Sequence, residues 1–502
     1  MPQPKLRVLL DLSMAARGFC GIAQDVRLLY KTLASCPDVE VTGLIYPPRT
    51  FGARHRFSDK KADRADRLVN QSSFLWSLAE NRMVWPNVAP LRVMRKVQSL
   101  AIAACARGAQ LDQLDTELLW NVVWRLLFSQ SLSPDDIPLV QNGKFVLSNL
   151  ADGMVYARAL IHRRPFKLDT TGYDFLIVQG PRPFALSPGT RQIVRYHDMI
   201  PVLQPDTMGN PLVIRWHHTA IRQCTANSYF VCNSEPTRSD LTAVYPELAP
   251  QSATIPYMLA DVYRSASGTI PVRSILETRR SKITPAGPSL PAGQDARYLM
   301  AVSTLEPRKN FIGLVQAFNE LKYRPDTREK IGDLKLVIVG APGWKYDATL
   351  AAMREPAMRG DLIHLEHVTA DEMRALYSAC EAFVFPSFAE GFGFPPMEAM
   401  LCRAPTIVSD IPAHRWVMGD ASLYCNAYDA HSIASAIERL TVSESASALR
   451  AELIARGRER TARYTLEHCS RQWVDLLYRL KDGQQGSANE CRPRAAVMEL
   501  AA

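Results

Sequence analysis

Apolar residues in this chain gather in short runs that end in turn residues, and few of the runs alternate with polar positions. The second half shows this most clearly, at Arg297–Thr304 (RYLMAVST), Leu334–Gly340 (LKLVIVG), Asp361–His367, Glu381–Ser387 and Ala404–Asp410. Helical periods lie between them. Phe311, Leu314, Val315, Phe318 and Leu321 follow helix spacing after Asn310, a suitable N-cap, and Thr369 with Glu372 opens a later helix as a capping box. Strands that are apolar on both faces and alternate with helices predict a parallel sheet covered on both sides. Residues 297–464 are therefore expected to form a doubly wound domain.

The same rhythm is fainter before residue 278. Strands are predicted at Leu6–Leu12, Val39–Tyr46, Asp174–Gly180, Arg191–Asp198 and Ser228–Ser234. Residues 47–172 interrupt them with a basic loop, RTFGARHRFSDKKADRADR, and with apolar helical material such as VMRKVQSLAIAACAR and LLWNVVWRLLF. This pattern predicts a helical insertion in a second doubly wound domain, residues 1–277. Residues 278–296, rich in Pro, Gly, Ser and Thr, predict a linker, and residues 481–502 predict an unpacked tail. The expected fold class is α/β, with two Rossmann-like domains facing a central cleft that takes the ligand.

Composition narrows this picture little. At 502 residues the chain is long enough for two large domains, and 47% hydrophobic with 22% charged residues is ordinary for a soluble protein. Ten cysteines occur singly with no CxxC pair, which argues against a zinc site or a disulfide framework and suits a reducing compartment. The opening MPQPKLRVLLDLS is too short in apolar residues for a signal peptide, and no apolar stretch reaches membrane-spanning length. A cytoplasmic protein is expected. The net charge of +9 favours anionic partners without choosing among them.

Candidate chemistry sits beyond the carboxyl ends of the second domain's strands, where open parallel sheets bind ligands. In STLEPRKN, Arg308 and Lys309 stand at a helix N-terminus, an unfavourable place for cations unless an anion such as a diphosphate joins them. In FAEGFGFPPMEAM, Glu390 precedes a turn, Gly391–Phe392–Gly393–Phe394, whose glycines permit close backbone approach and free amide donors. Glu398 follows, placed in the first turn of a helix begun by Pro395 and Pro396, where helix-end electrostatics alone account for a carboxylate. Carboxylates accept well from sugar hydroxyls, so a hydroxyl-rich ligand suits the pair. GAPGWKYD lacks a phosphate-loop signature and is expected to be a structural turn. In the first domain, Gly18 and Gly21 flank a helix start, and His197 with Asp198 ends a strand, all facing the cleft. His197 is a candidate acid/base or hydroxyl ligand, against the plainer role of a hydrogen-bonded structural histidine.

These motifs together resemble the GT-B-fold retaining glycosyltransferases of family GT4, the glycosyl transferases group 1 set. The resemblance is specific over Arg297–Asn426, through STLEPRKN, FAEGFGFPPMEAMLCRAPTIVSD and PAHRWVMGDASLYCN in order, and looser before it. It implies that Glu390 and the Gly391–Phe394 turn hold the donor sugar, Glu398 the ribose, and Arg308 with Lys309 the leaving diphosphate. His197 and the Gly18–Gly21 loop face sugar and acceptor, and residues 465–480 cross back onto the first domain. It further implies no metal and no cofactor besides the nucleotide-sugar donor, with a lean toward GDP-mannose, and a lipid-linked or polysaccharide acceptor of bacterial surface glycan synthesis. Two departures stand out: IPYM at Ile255–Met258 replaces the family's usual IPNG, and no arginine lies near Ser303–Thr304.

Other readings remain open at this level. An epimerase or a glycogen-synthase-like chain extender keeps the fold, and a catalytically inactive nucleotide-sugar-binding scaffold keeps the site. The basic insertion with Trp120 and Trp124 is a candidate for docking at an anionic membrane surface, against plain packing of its helices. Nucleic acid is not expected as a partner, since no recognition motif occurs.

Overall fold

The computed structural model describes residues 5–16, 18, 21–47, 63–80, 108–149, 165–210, 212–224, 228–264, 270–285, 287–288, 290 and 296–483. Two sheets dominate. The first has eight strands: β1 (Leu6–Asp11), β2 (Val39–Ile45), β3 (Leu111–Gln113), β4 (Lys144–Ser148), β5 (Phe175–Val178), β6 (Arg191–Tyr196), β7 (Ser228–Cys232) and β8 (Ser252–Thr254). They lie in the order β8-β7-β6-β5-β1-β2-β4-β3, parallel throughout except for β3, which runs antiparallel to β4. The second has six parallel strands: β9 (Tyr298–Val302), β10 (Lys335–Val339), β11 (Leu362–Leu365), β12 (Ala382–Phe385), β13 (Thr406–Ser409) and β14 (Leu423–Cys425), in the order β11-β10-β9-β12-β13-β14.

Register follows from burial. Leu6 pairs with Val39 and Val8 with Phe175 in the first sheet, and Tyr298 pairs with Lys335 and Phe383 with Thr406 in the second. Val8, Leu9, Leu10, Leu299 and Met300 are fully buried, as both faces of a covered sheet require. Because each sheet is parallel at its centre, its loops collect at one carboxyl edge.

The stretch expected as a helical insertion does carry helices, Arg64–Glu80 and Thr116–Val123, the latter continued by a wider π turn, Trp124–Phe128. It also supplies β3 and β4, which extend the first sheet beyond β2. The run KFVLS carries too little pattern to separate a strand from its helical surroundings. The loop of residues 48–62 and the segment of residues 81–107 lie outside the described residues, as does most of the expected tail.

Three helices matter for the site. α1 (Gly21–Ala34) follows β1, α2 (Phe311–Tyr323) follows β9, and α3 (Phe394–Leu401) follows β12. Asn310 caps α2 through its side chain, which accepts from Gly313 N, and it adopts a left-handed φ of 55°. Its amide donates to Pro386 O at 3.2 Å and Ala427 O at 2.7 Å, which locks the start of α2 against the end of β12. The last helix, α4 (Leu466–Lys481), returns to the first sheet. Its buried Trp473 lies under Arg195 of β6, whose guanidinium also pairs with Asp25 of α1 at 2.9 and 3.0 Å. Among the described residues no helix is long and apolar enough to cross a membrane.

Candidate active site

Arg308 and Lys309 occupy a single 3-10 turn, Pro307–Lys309, at the carboxyl edge of the second sheet. The anion they need is already present in the chain. Glu390 places Oε1 at 2.6 Å from Lys309 Nζ and Oε2 at 2.8 Å from Arg308 Nη1, and all three side chains are largely buried. Arg308 Nη2 also donates to Glu306 at 2.6 Å, and Nη1 to Ala389 O at 3.1 Å. Burial alone would raise the Glu390 carboxyl, but Arg308 and Lys309 override it and hold it down at about 2. Burial opposes the charge on both cations. Glu390 and Glu306 still raise Arg308, whereas Lys309, also repelled by Arg308, is lowered.

The turn after Glu390 is one of the places where the two domains touch. Gly391 O accepts from Ser234 Oγ at 2.7 Å and from Thr237 Oγ1 at 3.3 Å, both on the first domain. A Cβ on Gly391 would lie 2.1 Å from His197 O, so only glycine fits this approach. Gly393 has φ of 102°, again a conformation that favours glycine. Phe392 and Phe394 send their rings into an aromatic cluster with Tyr257 and Tyr464, Phe394 stacking on Tyr257 at 4.6 Å between centroids. Gly21 starts α1 against Phe394, whose ring would meet a Cβ there at 2.4 Å. Gly18 is not brought in the same way: its neighbourhood is open, and its carbonyl accepts from Arg27 Nη2 at 2.7 Å.

His197 reaches the turn from β6. Its Nδ1 pairs with the Tyr257 hydroxyl at 2.5 Å, and burial, aided by Arg195, lowers its pKa to about 3, so the ring is neutral. Asp198 lies beside it, and burial raises its carboxyl. Four buried atoms around the turn have no hydrogen-bond partner among the described residues: His197 Nε2 and Asn233 Oδ1 from the first domain, Ser387 Oγ and His414 Nε2 from the second. Buried polar atoms are rarely left without a partner. Such a ring of free acceptors and donors suits a ligand with several hydroxyls.

Glu398 is not in the first turn of its helix. Phe394, not Pro395, is the first helical residue, so Glu398 is the fifth, and the helix-end account of its charge does not apply. Instead it is buried, accepts from the Tyr377 hydroxyl at 3.2 Å and faces Gln24 of α1. Burial raises its pKa to about 7.

Residues 287–460 match the family profile described as glycosyl transferases group 1. The second domain belongs to that family. The chain is 25% identical over 325 residues to O-antigen chain mannosyltransferase B of Escherichia coli, spanning 64% of this chain and 79% of that one. It is 37% identical over 144 residues to O-antigen chain mannosyltransferase RfbU of Salmonella typhimurium, 28% of this chain and 38% of that one. Among solved structures, sucrose-phosphate synthase from Thermosynechococcus elongatus superposes with a TM-score of 0.55 at 16% identity, covering 95% and 100% of the two chains. The two facing parallel sheets are the GT-B fold, and the second domain's family and the relatives named here are glycosyltransferases.

For a glycosyltransferase of this group, several site neighbours carried no local signal. Tyr257 stands where the family's usual IPNG has asparagine, and its ring and hydroxyl organise His197 and Phe394. Ser234 caps the helix Glu235–Val244 by accepting from Thr237 N, and the hydroxyls of Ser234 and Thr237 also hold the Glu390 turn. GAPGWKYD is more than a turn: Trp344 Nε1 donates to Thr207 O at 2.7 Å and Lys345 Nζ to Asp206 O at 2.9 Å across the two domains. Trp124 packs partly buried against the first-domain core, and His217 and His218 bond to Tyr196 and Tyr245.

Proposed function

We propose that this protein transfers a hexose, with retention and without a metal, from a nucleotide-diphosphate sugar to a lipid-linked or growing surface glycan, and that GDP-mannose is its donor. The observation that carries the reading is one carboxylate shared by two buried cations beside a glycine turn. In this scheme the diphosphate takes over Arg308 and Lys309, and Glu390, released from them, turns its oxygens to hydroxyls of the sugar. As the glycosidic bond breaks, negative charge grows on the diphosphate, where the cations and the start of α2 already lie; fixed charges of this kind stabilise a transition state without reorganisation. The Gly391–Phe394 turn supplies amide donors, Glu398 accepts from the ribose, and neutral His197 faces the sugar from the first domain. Retention follows if the acceptor attacks from the side the diphosphate leaves. The names of the two O-antigen mannosyltransferase relatives support mannose and a surface glycan.

The test is a set of thermal shifts with GDP, UDP and ADP, each with and without its sugar, on the wild type and Lys309→Ala. A ligand that binds only the folded state raises the melting temperature. The expected result is a shift with GDP-mannose that Lys309→Ala loses, followed by transfer whose product keeps the donor's anomeric configuration by NMR. Stabilisation by another nucleotide would reassign the donor. Binding with no turnover by any acceptor extract would favour a scaffold.

A further inference from the structure

His414 is the third residue of the short helix Pro412–Met418, after β13, and its side chain is fully buried. Nothing in the reaction scheme above uses it. Its Nδ1 lies 3.0 Å from Ser409 O and 3.1 Å from Ser409 Oγ. Ser409 Oγ already donates its proton to Ser387 O, so neither Ser409 atom can donate to the ring. Nδ1 therefore carries the ring proton and gives it to Ser409 O. A neutral His414 then presents Nε2 as a bare lone pair, an acceptor that needs a donor.

Burial lowers the His414 pKa to about 4, so the neutral form is the one present at neutral pH. Yet Nε2 is buried without a partner. It lies 3.4 Å from where a Cβ on Gly393 would sit, beside Met418 Cε at 3.0 Å from the same point, so it faces the Gly393 side of the turn. Phe385 packs on the ring from the strand that leads to Glu390, at 5.7 Å between centroids, and the charges of Glu390 and Lys309 both act on it. The acceptor thus faces the turn, behind the carboxylate assigned to the sugar.

We propose that His414 Nε2 accepts a hydrogen bond from one hydroxyl of the transferred sugar and so helps to set which sugar the site takes; this rests on the nucleotide-sugar reading. The bond is oriented. Only a hydroxyl pointing toward the Gly393 side of the turn can make it, so an epimer at that carbon leaves Nε2 unpaired. Sites that bury an acceptor against a substrate hydroxyl reject analogues lacking it far more strongly than apolar pockets do.

Calorimetric titration of the full-length protein tests this. GDP, GDP-mannose, UDP, UDP-glucose and UDP-galactose are titrated into the wild type, His414→Phe and His414→Gln. The donor with the largest gain in affinity over its own diphosphate is then used in its monodeoxy forms. The expected result is that His414→Phe binds the diphosphate like the wild type but loses about five- to tenfold of the sugar-dependent gain, the size of one hydrogen bond. His414→Gln, which keeps an acceptor, should recover part of it. One monodeoxy donor should bind wild type and variant alike, while the others keep the difference.

The proposal is overturned if the gain survives in His414→Phe, or if every monodeoxy donor keeps the same ratio, since His414 would then act only through the turn. Should His414→Phe fail to bind the diphosphate, the monodeoxy series on the wild type and His414→Gln decides by the same criterion. If no nucleotide sugar binds the wild type better than its diphosphate, the proposal falls with the reading beneath it. In that case the wild type itself reports the failure, not the variant.

Discussion

Lys309 and Glu390 lie 81 residues apart in the chain and 2.6 Å apart in space. With Arg308 on the other carboxylate oxygen, Glu390 occupies the position that a diphosphate would take in the proposed reaction. The pairing keeps two adjacent cations buried and aimed before any ligand arrives. It also means that the ligand competes with a carboxylate of the protein itself.

Glu390→Gln separates these two roles. Removing the charge leaves two buried cations with Glu306 as the salt-bridge partner that remains and Asp198 near Arg308, which should lower stability by about 3 kcal/mol, the usual scale for breaking a buried pair. Free GDP should nonetheless bind more tightly, because its competitor is gone. Turnover should fall, since the hydroxyl acceptor is weakened. Melting curves with and without GDP check the first two outcomes; weaker GDP binding in the variant would show that Glu390 assists the diphosphate and does not displace it.

Gly391→Ala should act on the contact between the domains. Its Cβ would sit 2.1 Å from His197 O, a backbone atom with no room to rotate away. Overpacking of this kind costs about 1–3 kcal/mol, and here it is relieved if the domains part. The variant should therefore fold, still bind nucleotide on the second domain, and transfer little. Small-angle scattering should show a larger radius of gyration than the wild type. An unchanged radius with full activity would mean that the turn does not meet His197 in solution.

Much of this architecture was legible because parallel strands covered on both faces must be apolar throughout. All ten strands expected from such runs are present, each shortened at one or both ends. The three short strands β3, β8 and β14 escaped notice, as three residues carry no period, and β4 was masked by the helical patterns around it. The charged heart of the site was legible for a different reason. Arg308, Lys309 and Glu390 were each locally out of place, cations at a helix start and a carboxylate before a glycine turn. Their contact with one another was not legible, because it depends on Asn310 tying α2 to the end of β12. Tyr257 and Asn233 arrive from separate loops and His414 from a short helix, and each looks ordinary in its own stretch.

Tyr257→Phe should isolate the role of its hydroxyl, because the ring that stacks on Phe394 remains. His197 Nδ1 then loses its partner in a buried place, at a cost of about 1 kcal/mol. The imidazole is no longer held in one orientation toward the sugar. Steady-state kinetics should show a fall in kcat with little change in KM for the donor. A change in KM alone would assign Tyr257 to binding and leave His197 without a positioned role.

Glu398 should give the protein a pH dependence opposite to that of Glu390. Burial raises its carboxyl to about 7, above the value of about 4.3 for an unfolded glutamate. The folded state therefore binds the proton more tightly than the unfolded chain. The stability this contributes is fully present below about pH 4.3 and is lost as the pH rises through about 7, an effect on the order of 3 kcal/mol. For Glu390, held at about 2, stability is present above the unfolded value and is lost only as the pH falls through about 2, so the two windows do not overlap. Glu398→Gln should remove the first dependence, so the stability difference between wild type and variant should change between pH 4.5 and 8 in the variant's favour. Donor binding should move the other way. In the proposed role, ribose hydroxyls donate to the ionised Glu398 carboxylate, so affinity for a nucleotide sugar, whose phosphates do not titrate in this range, should rise through pH 7 in the wild type and stay level in Glu398→Gln. Denaturant melts and titrations at matched pH measure both slopes. Parallel curves for the two proteins would mean that Glu398 is ionised throughout, and that the hydroxyl of Tyr377 and the amide of Gln24 stabilise its charge more than burial opposes it.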